Sequence, residues 1–221
     1  SRVLGFLRDV VFAQKFGASL ATDAFYVAFR IPNFMRRLFA EGSFSLAFVP
    51  VLAEYRQRGD KEALRQFIDH VCGTLAAILL IVVALAILAA PAVVTVFAPG
   101  FLDKPEKFAL TVDMLRITFP YILLISLAGF AGGILNSFSR FALPALSPVL
   151  LNIALIAAAI WLAPYFDEPV KALAWGVFAG GLLQLAMQIP GLIQLGLMPR
   201  PSWGWHDEGV RKILKLMVPT L

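Results

Sequence analysis

The sequence predicts an all-α, polytopic membrane bundle. Three observations carry this. Apolar residues make up 60% of the chain and charged residues only 15%, where a soluble domain carries roughly 25% charged residues. Mean hydropathy is +0.81. The apolar residues also come in blocks: 71–98, 141–166 and 172–199 contain no Asp, Glu, Lys or Arg, and 117–135 is a shorter one. A helix needs about 20 apolar residues to cross the hydrocarbon core.

Six membrane segments and the start of a seventh follow. Segment one, 1–16, is a truncated helix ended by Gly17-Ala18-Ser19. Segment two runs from about Asp23 to Tyr55, with Ser19 or Thr22 as N-cap. Pro32 and Pro50 interrupt it, and each removes a helical N–H. A polar, basic connection, 56–65, leads to segment three, 71–98, which Pro99-Gly100 stops. Segment four spans 108–135 with Pro120 near its middle. After the turn 136–140, segment five (141–163) opens with Pro144 and Pro148. Segment six is 172–197, and a Pro/Trp-rich loop, 198–209, precedes an amphipathic stretch, 210–221. The domain boundaries expected are therefore 1–197 for a membrane lobe, 198–209 for a cytoplasmic loop and 210–221 for the start of the next helix. The pairs Gly129/Gly133 and Gly176/Gly180 suit close helix packing. Trp161, Trp175, Trp203 and Trp205 fall near expected interfaces.

Lys and Arg sort by connection. Arg56, Arg58, Lys61, Arg65, Arg140, Arg200, Arg211, Lys212 and Lys215 lie on one side; Lys15, Lys104, Lys107 and Lys171 lie on the other. Short loops rich in Lys and Arg face the cytoplasm. The N-terminus is therefore expected in the cytoplasm. The charge of +5 is then a topology signal; its cations form no solvated run with interleaved aromatics, so no nucleic-acid partner is expected. The single cysteine, Cys72, excludes an intrachain disulfide. His70 and His206 show no metal-ligand spacing, and no phosphate-binding glycine loop is present. Nothing suggests an enzyme. The chain opens at Ser1 inside a helical pattern and stops at Leu221 as another begins. We expect a piece of a longer transporter chain, without a cleaved signal peptide, because the opening stretch carries Arg2, Arg8 and Asp9.

The informative residues are charges at membrane depth, each costing about 2.5–3.5 kcal/mol on insertion scales. Arg2, Arg8, Asp9, Arg30, Arg36, Arg37 and Glu41 lie in or beside apolar helices. Arg30, Asn33, Arg37 and Glu41 form one stripe at helical spacing, and Arg37 can pair with Glu41. Arg2 and Asp9 share a face of segment one, with Arg8 offset. Cations outnumber acids, so two polar faces turned onto a hydrated cavity would select an anion; Arg suits bidentate phosphate or carboxylate. The competing interpretation is a set of interhelical ion pairs that fix packing.

These residues also carry a resemblance. Ser1-Arg2-Val3-Leu4-Gly5-Phe6, Ala21-Thr22-Asp23-Ala24-Phe25 and Arg36-Arg37-Leu38-Phe39-Ala40-Glu41-Gly42 resemble the MurJ (MviN) family of bacterial lipid II flippases. So do Phe48-Val49-Pro50-Val51-Leu52-Ala53-Glu54-Tyr55 and Thr118-Phe119-Pro120-Tyr121. The family belongs to the multidrug/oligosaccharidyl-lipid/polysaccharide exporter superfamily. The resemblance implies fourteen helices in two lobes around a cavity, this chain being the first lobe. It implies a protein of the bacterial inner membrane that moves an undecaprenyl-pyrophosphate-linked peptidoglycan precursor between leaflets.

Important family Arg residues match Arg2, Arg8, Arg36 and Arg37, and an important Asp matches Asp23. With Asn33 and Glu41 from the stripe, these are the candidate substrate-binding residues. Expected partners are the lipid-linked oligosaccharide, membrane lipids and the missing C-terminal lobe. No cofactor is expected in this chain; the coupling ion or membrane potential of the full protein stays open. Two rivals remain. A cation-coupled drug exporter would favour acidic residues and aromatics in its cavity, and a non-transporting scaffold would lock its Arg residues in ion pairs.

Overall fold

The computed structural model describes residues 2–36 and 44–217, without the side chains of Met35 and Arg36. Among the described residues there is no strand; the regular elements are helical. Eleven α-helices are described: α1 (Arg2–Phe16), α2 (Leu20–Arg36), α3 (Phe44–Gln57), α4 (Lys61–Leu88), α5 (Ala90–Phe97), α6 (Pro105–Thr118), α7 (Pro120–Ser137), α8 (Ala142–Ala157), α9 (Lys171–Ala186), α10 (Ile189–Gln194) and α11 (Glu208–Met217).

Local chemistry sets the starts. Ser19 caps α2 by accepting the Thr22 N–H at 3.2 Å. Asp60 caps α4 by accepting the Glu62 and Ala63 N–H groups at 3.0 and 3.1 Å. This cap corrects the expected start of segment three: residues 61–70 are helical, and the polar connection is only the few residues before them. Within segment two the described residues form α2 and α3, and residues 37–43 between them lie outside the described residues. Segment three divides at Ala89 before Pro91, and segment four at Phe119 before Pro120, because a proline cannot donate to the preceding turn. Segment six divides into α9 and α10 next to Pro190. Four helical runs are long and apolar enough to cross a membrane: Lys61–Leu88, Pro105–Ser137, Ala142–Tyr165 and Lys171–Gln194.

The chain forms two compact units. One comprises Ser1–Phe34, Val82–Ile122 and Ser147–Gln184; the other comprises Met35–Ile81, Leu123–Leu146 and Leu185–Leu221. Connections 99–107 and 164–171 belong to the first unit, and 56–65, 136–140 and 198–209 to the second.

In the first unit, Phe12 of α1 meets Phe25 of α2 edge-on at 5.9 Å, and Phe25 stacks on Phe29. Thr118 Oγ1 donates to the Ala28 carbonyl at 2.9 Å, tying α6 to α2. Gly176 and Gly180 let α9 approach α8: a Cβ on either would lie 2.7 Å from Ala158 Cβ or Leu151 Cδ1.

The second unit is built around Phe48, whose ring lies 5.3, 6.1 and 5.0 Å from Phe44, Phe67 and Phe130. Gly133 on α7 leaves room for the Phe48 ring. Val210 and Ile213 of α11 join this core. Lys212 Nζ reaches both carboxylate oxygens of Glu54 on α3 at 2.6 Å.

Candidate functional site

The first two helices line a mostly apolar pocket in the first unit, with Arg8, Arg30 and Asn33 as its charged and amide members. Arg8 occupies the middle of α1, and the Phe12–Phe25 contact turns that face of α1 toward α2. From α2, the helical period brings Tyr26, Phe29, Arg30 and Asn33 round to the same place. With Phe12, Phe25 and Leu155 they line a cavity of about 180 Å³. Ligand pockets run from about 300 to 1,000 Å³, so this half-open recess is smaller than a typical ligand site.

Arg8 is oriented by three contacts. Its Nε and one terminal nitrogen donate to Asp9 Oδ1 at 3.0 and 2.7 Å. Its other terminal nitrogen donates to Asn152 Oδ1 at 3.2 Å. The guanidinium also lies 5.9 Å from the Phe12 ring centroid. Guanidinium has five N–H groups. Three are used in these bonds, which leaves two for an anion among the described residues. Asn152 is itself buried, and its amide donates to the Pro148 carbonyl at 2.9 Å. Asn152 is thus held by α8 on one end and holds Arg8 with the other.

The structure brings together Arg8 and Asn33, two of the seven residues expected at the site, and adds Arg30. Arg30 stood in the polar stripe of the sequence. Asn152 was missed there, although a lone Asn in the uncharged block 141–166 was a usable signal. Arg2 is exposed on α1 and does not line the pocket. Asp9 is directed to its neighbour Arg8 rather than to Arg2. Asp23 goes elsewhere: its Oδ2 accepts from Lys107 Nζ of α6 at 2.9 Å. Lys107 was counted as a connection residue, yet it is buried within α6, with its ammonium 4.1 Å from the Phe101 ring centroid. The Arg36 side chain, Arg37 and Glu41 lie outside the described residues, as does the expected Arg37–Glu41 pair. Among the described residues no three His, Cys, Asp or Glu side chains come together as a metal site.

Comparison with known proteins bears on what this pocket serves. The family model described as "Lipid II flippase MurJ" matches residues 12–221. A "Probable lipid II flippase MurJ" of Haemophilus influenzae is 52% identical, over 100% of this chain and 45% of its own length. A "Lipid II flippase MurJ" of Burkholderia cenocepacia is 47% identical, over 99% of this chain and 43% of its own. A solved structure, "Lipid II flippase MurJ, inward closed conformation", superposes with a TM-score of 0.80 at 30% identity, over 99% of this chain and 44% of that one. The chain thus spans less than half the length of the curated relatives it matches.

Proposed function

This chain belongs to the lipid II flippase MurJ family, and from that premise we propose that it is the N-terminal half of a flippase for a lipid-linked pyrophosphate. The observation that carries this is the pocket flanked by Arg8 and Arg30, with two Arg8 N–H groups left for an oxyanion. A diphosphate leaving water requires several charge-assisted bonds, and a guanidinium offers them in a planar pair. The pocket takes one phosphate, while the sugar–peptide headgroup lies in a wider space completed by the other half. The isoprenoid stays in lipid throughout. Rocking of the two halves exposes the bound headgroup to one leaflet and then the other. The N-terminus and the connection 56–65 face the cytoplasm of a bacterial inner membrane. Two arginines at the pocket disfavour a cationic drug as cargo.

The test uses the full-length protein carrying Arg8→Lys or Arg8→Ala, at matched expression, in a lipid II translocation assay. Arg8→Ala is expected to lower translocation by about tenfold or more, the loss of a charge-assisted bond or two. Arg8→Lys is expected to recover only part, because an ammonium keeps the charge but not the fork. Undiminished translocation by Arg8→Ala removes the pocket from the transport path.

A further inference from the structure

We infer that the loop 198–207 and helix α11 form an interfacial anchor for anionic phospholipid headgroups, a surface separate from the Arg8 pocket. The loop is pinned to α4 along its whole length. Asp69 Oδ1 accepts the Arg200 N–H at 2.6 Å, and the Asp69 carbonyl accepts the Ser202 N–H at 3.2 Å. Thr74 Oγ1 accepts the Gly204 N–H at 3.2 Å. His70 Nδ1 lies 2.9 Å from Asp207 Oδ2, while Asp207 Oδ1 caps α11 through the Gly209 and Val210 N–H groups. Gly73 and Gly204 permit this approach, since a Cβ on either would overlap Ser202 or His70.

What the pinned loop presents outward is aromatic and basic. Trp203 and Trp205 stack at 6.0 Å and 10°, yet remain 61% and 43% exposed. Beside them Arg200, Arg211 and Lys215 are exposed. Lys212 is engaged with Glu54, and Asp69 and Asp207 are engaged with the loop and His70, so Glu208 is the remaining exposed acid here. Three cations against one acid give the surface a positive field. Arg211 also reaches His206 Nδ1 at 2.9 Å, which directs it toward the tryptophan end of the patch.

Depth points to the headgroup layer. The loop lies against α4 at residues 69–74, where the uncharged apolar block 71–98 of that helix begins, which places the loop at the edge of the hydrocarbon core. Trp is enriched at that depth, and Lys and Arg near it are drawn to anionic lipid. Trp and Arg are also enriched at protein interfaces, so a protein cover is the outcome the test must separate from lipid.

The test places the full-length protein in phosphatidylcholine vesicles containing brominated phosphatidylglycerol or, at the same mole fraction, brominated phosphatidylcholine. The emission of Trp203 and Trp205 is the difference between wild type and Trp203→Phe/Trp205→Phe. Brominated phosphatidylglycerol is expected to quench that difference about twofold or more beyond brominated phosphatidylcholine. The preference is expected to vanish in Arg200→Gln/Arg211→Gln/Lys215→Gln and to fade in high salt. Absence of quenching by either lipid places the tryptophans under protein and overturns the inference. Equal quenching leaves an ordinary aromatic belt and overturns it too, as does a preference that survives the triple substitution. If the triple substitution fails to fold, the lipid preference of the Trp203/Trp205 difference signal and its fading in high salt still decide the outcome.

Discussion

Removing Asp23 should cost more stability than removing Lys107, although Asp23 is the more exposed partner of the two. The Lys107 side chain is 8% exposed and that of Asp23 66%. At 2.9 Å the gross attraction is about 1.4 kcal/mol in bulk water and about 6 kcal/mol at an effective dielectric of 20; solvent around Asp23 places the pair toward the lower figure. Asp23→Ala strands a buried ammonium whose remaining partner is the Phe101 ring, 4.1 Å away. An unpaired buried charge costs about 3–5 kcal/mol, and a ring offsets about 0.5–2, so the net loss is about 1–4.5 kcal/mol. Lys107→Met keeps the aliphatic packing and leaves a carboxylate already largely hydrated, at a cost below about 1 kcal/mol. The double variant should therefore be more stable than Asp23→Ala alone. Unfolding midpoints of the full-length protein in detergent report the order. Equal or reversed costs would refute the asymmetry. Translocation by the same variants separates two roles for Asp23: recovery in the double variant assigns it to holding Lys107, and continued failure assigns it to the substrate.

Other consequences are sharp as well. Asn152→Ala frees one terminal nitrogen of Arg8 and should weaken lipid II binding several-fold, by about 1 kcal/mol, with little change in unfolding midpoint; Asn152→Asp, which draws the guanidinium into a second ion pair, should be worse. Direct binding measurements check both, and equal affinity in all three proteins would show that Arg8 needs no support from α8. Gly73→Ala or Gly204→Ala forces a methyl into Ser202 or His70 and should make the loop 198–207 cleave faster in limited proteolysis, whereas Gly100→Ala, which meets nothing within 4 Å, should be silent. Single cysteines at positions 60 and 104, in a Cys72→Ser background, should label from opposite sides of the membrane; labelling of both from one side would overturn the assignment of the connections.

The membrane helices were legible in the sequence because their cause is local. A helix satisfies its own backbone hydrogen bonds, and in lipid an apolar block of sufficient length has few other choices. The blocks 71–98, 141–166 and 172–199 all became helical runs, and their breaks fall at or beside Pro91 and Pro190. The boundaries that were misplaced depended on single side chains. Asp60, as a cap, carried α4 back into a stretch whose charge resembled a loop.

The polar stripe of α2 was equally legible, since helical period alone puts Arg30 and Asn33 on one face. Partners were not. Arg8 meets Asn152 across 144 positions and Lys107 meets Asp23 across 84. Such pairs depend on how two helices are rotated about their axes and how closely they approach, which is set by packing at Gly176, Gly180, Phe12 and Phe25. The sequence by itself determined that charges would fall in and beside apolar helices of the first two segments, with cations in excess. Only the tertiary structure decided which of them line a pocket and which are neutralised by a neighbour, because that choice rests on contacts of a few ångströms between elements distant in the chain.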